Sequence, residues 1–179
     1  PTCNGVHELD MESSVQSKQA LILSNRGFWR TAWEYVENVS VKNTSQYEFS
    51  MVLKTFKLDH AMEEAFFEQT RVDALAMERL TKSKHVVGIY AHCGMTILTE
   101  FAGQDINVVA DQRQPMDRLL LAKDLAQGIA DIHDVGMVHN DVNFANLVYS
   151  QNNKVAMVND FNLSILRMKH NQTGEACPF

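Results

Sequence analysis

No apolar run in this chain approaches the ~18–20 residues needed to cross a bilayer. Nothing near Pro1 has the zoned pattern of a signal peptide. Cysteine is scarce: Cys3, Cys93 and Cys177 are far apart and odd in number. They form no CxxC pair and no Cys/His cluster at zinc-ligand spacing, so no zinc motif is present. The expectation is ordinary thiols in a reducing compartment. Basic residues are outnumbered, 16 against 22 acidic ones, leaving a net charge of −6. That balance excludes a nucleic-acid binder that relies on a generally basic surface. There is no internal repeat, no low-complexity tract and no initiator Met, and the last of these points to a fragment or a processed piece. Sequons at Asn38, Asn43, Asn162 and Asn171 are patterns short enough to arise by chance.

What is present is an ordinary globular composition. The 179 residues are 45% hydrophobic and 21% charged, enough for one domain with a real core or for two small lobes. Residues 1–18 are polar and unpatterned, and read as a tail. Ala20 to Leu23 and Thr31 to Val36 read as strands around a turn-like Ser24–Gly27. From Tyr47 to Phe56, apolar Phe49, Met51 and Leu53 alternate with polar neighbours, as in a half-buried strand. Residues 61–80 carry Ala65, Phe66, Ala74, Met77 and Leu80 on one side of a helix. Val86 to Ala91 and Met95 to Thr99 are β-like, and Gly103 marks a connector. Met116 to His133 is a second helix with Leu121, Leu125, Ile129 and Ile132 on one stripe. Short strands follow at Val138, Leu147–Ser150 and Val155–Val158. Strands first and helices later predict an α+β architecture in two lobes: a tail at 1–18, a strand-rich lobe at 19–102 and a helical lobe at 103–179.

Three oxygen-bearing side chains stand out in the later half. Asp141 lies on a loop after the long helix, Asn146 follows it, and Asp160 ends the apolar strand Val155–Val158. Mg²⁺ favours hard oxygen ligands, one or two carboxylates together with phosphate oxygens and water. Asn146 and Asp160 could supply an amide oxygen and a carboxylate, with Asp141 left to orient a hydroxyl and accept its proton. Each of these residues alone reads more simply as a loop residue that caps or turns the chain. It is the ordered set that points to phosphoryl transfer.

On these residues the chain resembles the protein kinase family. His139-Asn140-Asp141-Val142-Asn143-Phe144-Ala145-Asn146 is similar to the H-R-D-x-x-x-x-N catalytic loop, and Asp160-Phe161-Asn162 to D-F-G. Met51-Val52-Leu53-Lys54 looks like the V-A-I-K strand, and Ile97 to Phe101 like the last strand of the first lobe and the hinge. The stretch Asn25 to Ala32 looks like a worn glycine-rich loop. The resemblance implies a bilobal kinase fold that binds ATP and Mg²⁺ and phosphorylates a protein hydroxyl, with Ser/Thr favoured. It implies Lys54 on the α and β phosphates, Asp73 as its acidic partner on the helix, and Gly27 in the phosphate loop. Ala32, Val52 and Val148 would sandwich the adenine, Thr99 would be the gatekeeper, and Glu100 to Ala102 would be the hinge. Asn146 and Asp160 would hold the metal. His139, Phe161 and Met77 would form an internal column. Because Asp is one methylene shorter than Glu, Glu68 and Glu78 remain alternatives to Asp73.

The chain also departs from the family pattern. Asn140 replaces the arginine that commonly grips a phosphorylated activation loop. Asn143 replaces the lysine that contacts the transferred phosphate in serine/threonine kinases, a type of contribution worth ~2–4 kcal/mol at comparable sites. Asn25 and Arg30 replace loop glycines, and Asn162 replaces the D-F-G glycine with a residue that tolerates left-handed backbone. The sequence stops within the activation segment, so the stripe on helix 116–133 is expected to be exposed, an association hazard. A docking pseudokinase and a small-molecule phosphotransferase of the aminoglycoside-kinase type are the competing readings. The expected location is intracellular, with any membrane tether carried outside this chain and with no nucleic-acid partner.

Overall fold

A computed structural model describes Cys3, Val6 and residues 20–24, 29–39, 47–57, 61–167 and 173–175. For 20–24, 29–39 and 47–50 it describes the backbone course alone. Among the described residues no helix is long and apolar enough to cross a membrane. The chain divides into two compact units, Pro1–Arg71 with Gly88–Phe101, and Val72–Val87 with Ala102–Phe179.

The first unit is built on an antiparallel sheet of order β1-β2-β3-β5-β4. Its strands are β1 Ala20–Ser24, β2 Trp29–Val39, β3 Tyr47–Phe56, β4 Ile89–Cys93 and β5 Thr96–Glu100. The period-two pattern of β3 does what such a pattern dictates. Met51 and Leu53 face a core shared with Ala91, Leu98 and the half-buried Val6, while Val52 and Lys54 take the other face. Gly94, at φ 57, makes the tight turn between β4 and β5, a conformation glycine adopts without strain. Helix α1, Glu64–Arg79, follows β3. The Phe66 ring near its start lies 4.8 Å from that of Phe56. Val86 and Val87 do not belong to β4: Val87 N–H donates to the carbonyl of Val158 at 3.0 Å, in the second unit.

Cys3 and Cys93 are joined in a disulfide with Cα atoms 4.4 Å apart, which corrects the expectation of ordinary thiols for this pair. Wide spacing carries no information about proximity when the chain folds back between two positions at a sequence separation of 90. Cys177 lies outside the described residues.

The second unit contains α2 Ile106–Asp111, α3 Pro115–Asp134, and strands β6 Gly103–Asp105, β7 Met137–Val138, β8 Leu147–Ser150, β9 Val155–Val158 and β10 Ile165–Leu166. β6, β8 and β9 form one sheet in that order, and β10 pairs with β7. Gly103 stands just after the point where the chain passes from the first unit to the second, and it opens the short strand β6. Asp105 caps α2 by accepting a 2.7 Å bond from Asn107 N–H, and Ile106 and Val109 point inward.

Helix α3 starts with Pro115, whose missing N–H costs nothing in the first turn. It packs on β9, and Asp124 Oδ2 accepts from Ala156 N–H at 3.2 Å. Leu121 and Ile132 are buried and Leu125 and Ile129 half-buried, so the stripe expected to be exposed is covered. The exposed large apolar residues of α3 are Met116, Leu119 and Leu120. Gly128 is why the helix can lie so close: a Cβ there would stand 2.9 Å from His85 O and 3.1 Å from Val158 Cγ2. In an exposed helix Gly→Ala gains about 1 kcal/mol. Here the overlap with a backbone carbonyl dominates, and Gly128→Ala is expected to destabilise by about 1–3 kcal/mol. Urea unfolding checks this through a lower midpoint at unchanged slope, and an unchanged or higher midpoint refutes it.

Candidate active site

The loop after α3 owes its shape to local hydrogen bonding. Gly136, at φ 75, ends the helix with its N–H on His133 O at 2.9 Å. β7 follows, then His139, then Asn140 at φ 63. Asn140 thus sits in the left-handed region, where asparagine is among the better-tolerated residues. Asp141 N–H donates to His139 Nδ1 at 3.3 Å, and His139 Nε2 lies 3.0 Å from Asn159 O. With Nδ1 accepting, Nε2 is the ring nitrogen placed to donate to the Asn159 carbonyl. His139 is 2% exposed, so both ring nitrogens need the partners they have.

Both carboxylate oxygens of Asp141 are held. Asn146 Nδ2 donates to Oδ2 and to the Asp141 carbonyl, each at 2.9 Å, and Asn143 Nδ2 donates to Oδ1 at 2.9 Å. Asn143 Oδ1 meanwhile accepts from Ala145 N–H at 2.8 Å, capping the 3₁₀ turn Phe144–Asn146. Where serine/threonine kinases place a lysine, this chain places an amide that caps a turn and steadies the carboxylate. The lost cation is visible in the sequence, and the new bond is made only by the fold. An Asn just before a helical turn is the signal that could have found it.

Asn159 N–H donates to Asn146 O at 2.9 Å, tying the end of β9 to the loop. Asp160 follows at φ 61, half-buried. Within Asp160-Phe161-Asn162 the left-handed residue is Asp160, and the tolerance of Asn162 for that backbone goes unused. Asn162 Oδ1 is buried and finds no hydrogen-bond partner. Phe161 is fully buried with its ring 4.8 Å from that of His139, and Met77 is buried too.

Asp73 is 2% exposed and accepts from Phe161 N–H at 2.8 Å. Glu68 is bound instead to Arg71 at 2.6 Å on the surface, and this neighbour holds its carboxyl below the usual value. Glu78 is exposed. The buried helix acid is thus the short one. Asp73→Ala would strand a buried N–H and is expected to destabilise by about 1–3 kcal/mol. Asp73→Asn keeps an accepting oxygen and should lose clearly less. Denaturant midpoints compare them, and equal losses would remove the bond to Phe161 from the account.

In the first unit Lys54 pairs across the sheet with Ile97, and Val52 with Thr99. Both Lys54 and Val52 are half-buried. Thr99 is buried, its Oγ1 donating to Glu100 O at 3.2 Å. Glu100 is locked to Gly88, accepting from its N–H at Oε1 (2.7 Å) and donating its own N–H to its carbonyl (3.0 Å). Burial, assisted by the Glu100 carboxylate, pushes the Tyr90 phenol up. In the second unit Ala102 and Val148 pack with Val87, Val155 and Met157. Gly27 lies outside the described residues, and of Ala32 the backbone alone is described, next to an irregularity in β2 between Thr31 and Glu34.

Among the described residues no cluster of three or more His, Cys, Asp and Glu could hold a metal by itself. The available donors are hard oxygens. Asn146 spends its Nδ2 on Asp141 and leaves Oδ1 uncommitted, and Asp160 adds a half-buried carboxylate. That set fits Mg²⁺ bound chiefly through phosphate oxygens and water, and it is poor in the nitrogen and sulfur ligands zinc prefers.

A family profile for protein tyrosine and serine/threonine kinases matches residues 29–178. The chain belongs to that family, with its α+β kinase-like fold and its general phosphotransferase chemistry. Comparison with curated proteins finds no match.

Proposed function

We propose that the chain is the ATP-binding part of a divergent protein kinase that transfers the γ-phosphoryl group of Mg-ATP to a protein hydroxyl, with Ser/Thr favoured. The observation that carries this reading is the Asp141 carboxylate, gripped at both oxygens by Asn143 and Asn146 on a loop tied through Asn159 to the strand end that leads into Asp160. In this mechanism Asp141 orients the acceptor hydroxyl. As its oxygen bonds to the γ-phosphorus, the bridging β–γ bond breaks, ADP leaves, and the proton passes to Asp141. Mg²⁺, when bound, neutralises phosphate charge, and Asn146 and Asp160 are the residues assigned to hold it. The family resemblance assigns Lys54 to the α and β phosphates with Asp73 as its acidic partner, and Gly27 to the phosphate loop. It assigns Ala32, Val52 and Val148 to the base, Thr99 to the gatekeeper position and Glu100 to Ala102 to the hinge.

Asn143 favours a second reading. It supplies an amide where the transition state would profit from a cation, as suits a kinase-like module that binds nucleotide and docks partners with little turnover. Two measurements separate the readings. A magnesium-dependent rise in melting temperature with ATP tests binding, and radiolabel transfer to a peptide library tests turnover. Binding without transfer selects the docking module. Absence of any magnesium-dependent shift sinks both, and transfer to an aminocyclitol but to no peptide selects a small-molecule phosphotransferase.

A further inference from the structure

We propose that a cleft in the second unit, built from residues other than the Asp141 loop, binds a small phosphate-bearing anion. The cleft has a volume of about 480 Å³ and opens between the segment after α1 and the middle of α3. That is a size typical of small-ligand sites. Lys82, Lys84 and Lys123 line it, and all three are exposed. None of the three forms a hydrogen bond or ion pair among the described residues.

The carboxylates in the cleft are already engaged. Asp131 accepts from Ser83 Oγ and from Gln127 Nε2, and Asp124 accepts from Ala156 N–H. The Ser83 hydroxyl holds the Asp131 carboxyl below its usual value, aided by Gln127 and His85 and opposed by burial, so it stays ionised and cannot donate to an incoming anion. What remains free is ammonium N–H, a compact donor and charge suited to phosphate. Three cations against two anions make the cleft net positive on a chain of net charge −6. Such a local reversal of sign concentrates anions.

The segment is also fixed in advance. Ser83 is bonded to α3, His85 N–H donates to Ser83 Oγ at 3.1 Å, and His85 O lies under Gly128. Lys82 and Lys84 therefore project from an anchored backbone, which lowers the ordering cost of binding. A dianion gains about twice the Coulomb attraction of a carboxylate in the same place. The chemistry therefore selects phosphate, as the free ion or as a small phosphomonoester.

The test is a titration of the ¹⁵N-labelled full chain, without magnesium and at low ionic strength, with inorganic phosphate, glycerol 2-phosphate and acetate. Amide shifts should centre on residues 82–85 and 123–131, with acetate at least tenfold weaker than either phosphate. The triple variant Lys82→Gln, Lys84→Gln, Lys123→Gln should bind phosphate roughly tenfold or more weakly. Tighter binding of glycerol 2-phosphate assigns the site to an ester, and tighter binding of inorganic phosphate to the free ion. The proposal is overturned if shifts centre on residues 139–162 or appear nowhere, if acetate binds equally well, or if the triple variant binds as the parent does. The map on the parent chain decides the location even where the triple variant fails to fold.

Discussion

Asp141→Asn is expected to lower phosphoryl transfer by about 10²- to 10⁴-fold, the range for losing a positioned general base. The melting-temperature rise caused by Mg-ATP should persist. An amide cannot take up the proton released as the acceptor oxygen bonds to phosphorus. The geometry sharpens the point, because both oxygens of Asp141 accept from amide groups, Asn143 Nδ2 and Asn146 Nδ2. Asparagine at 141 would present one NH₂ toward one of those donors, so the loop loses a bond as well as a base. The Asp141 backbone carbonyl still accepts from Asn146 Nδ2 at 2.9 Å, which should keep the loop near its parent course. Transfer within threefold of the parent, from a variant that still binds Mg-ATP, would falsify the assignment of Asp141. Loss of the ATP-induced shift together with transfer would mean that the loop had collapsed, and Asp141→Ala would then serve poorly as a control because it removes the acceptors altogether.

For stability, the largest loss is expected from Phe161→Ala, about 3–5 kcal/mol. Phe161 has no solvent exposure, and its ring stacks at a tilt on His139 with centroids 4.8 Å apart. Truncation leaves a cavity and removes a ring contact that adds to the burial energy. Its backbone N–H, bonded to Asp73, is untouched by the change. The effect therefore reports side-chain packing alone and can be set beside Asp73→Ala, which removes the bond and spares the ring. Because the two positions are in contact, the double variant should depart from additivity. Phe161→Leu, which retains most of the apolar volume, should lose well under half as much. Denaturant midpoints at constant slope provide the measurement. A loss below 1 kcal/mol for Phe161→Ala would mean that the surrounding side chains collapse into the space.

Much of the fold was legible where a pattern repeats over many residues. The alternation from Tyr47 to Phe56 predicts a strand, and β3 spans Tyr47–Phe56. The stripe on 116–133 predicts a helix, and α3 spans Pro115–Asp134. Among the short elements, the strands at Leu147–Ser150 and Val155–Val158 were legible as apolar runs, and the short helix was not. α2 is six residues long, too short for periodicity to speak, and its Asp105 cap was the one available signal. Val86 and Val87 look like strand residues in sequence, yet Val87 N–H donates to Val158 O and Val158 N–H to His85 O, leaving Val86 in a lone parallel bridge with Val158, a pairing that depends on where β9 lies. The disulfide between Cys3 and Cys93 was invisible for the same reason.

The candidate site divides along the same line. By itself the sequence determined the residue types and their order: Asp141, Asn146 and Asp160, with Asn140, Asn143 and Asn162 at the variant positions. Those identities set which atoms can accept a proton or present a hard oxygen, and chemistry of that kind is a property of side chains. Only the tertiary structure decided how those atoms are committed. It spends the Asn143 amide on Asp141, buries Asp73 against the N–H of Phe161, and gives the left-handed backbone to Asn140 and Asp160 rather than to Asn162. Hydrogen bonds form between groups that the fold brings within about 3 Å. A one-dimensional pattern fixes who the donors and acceptors are, and the folded chain selects which of them meet.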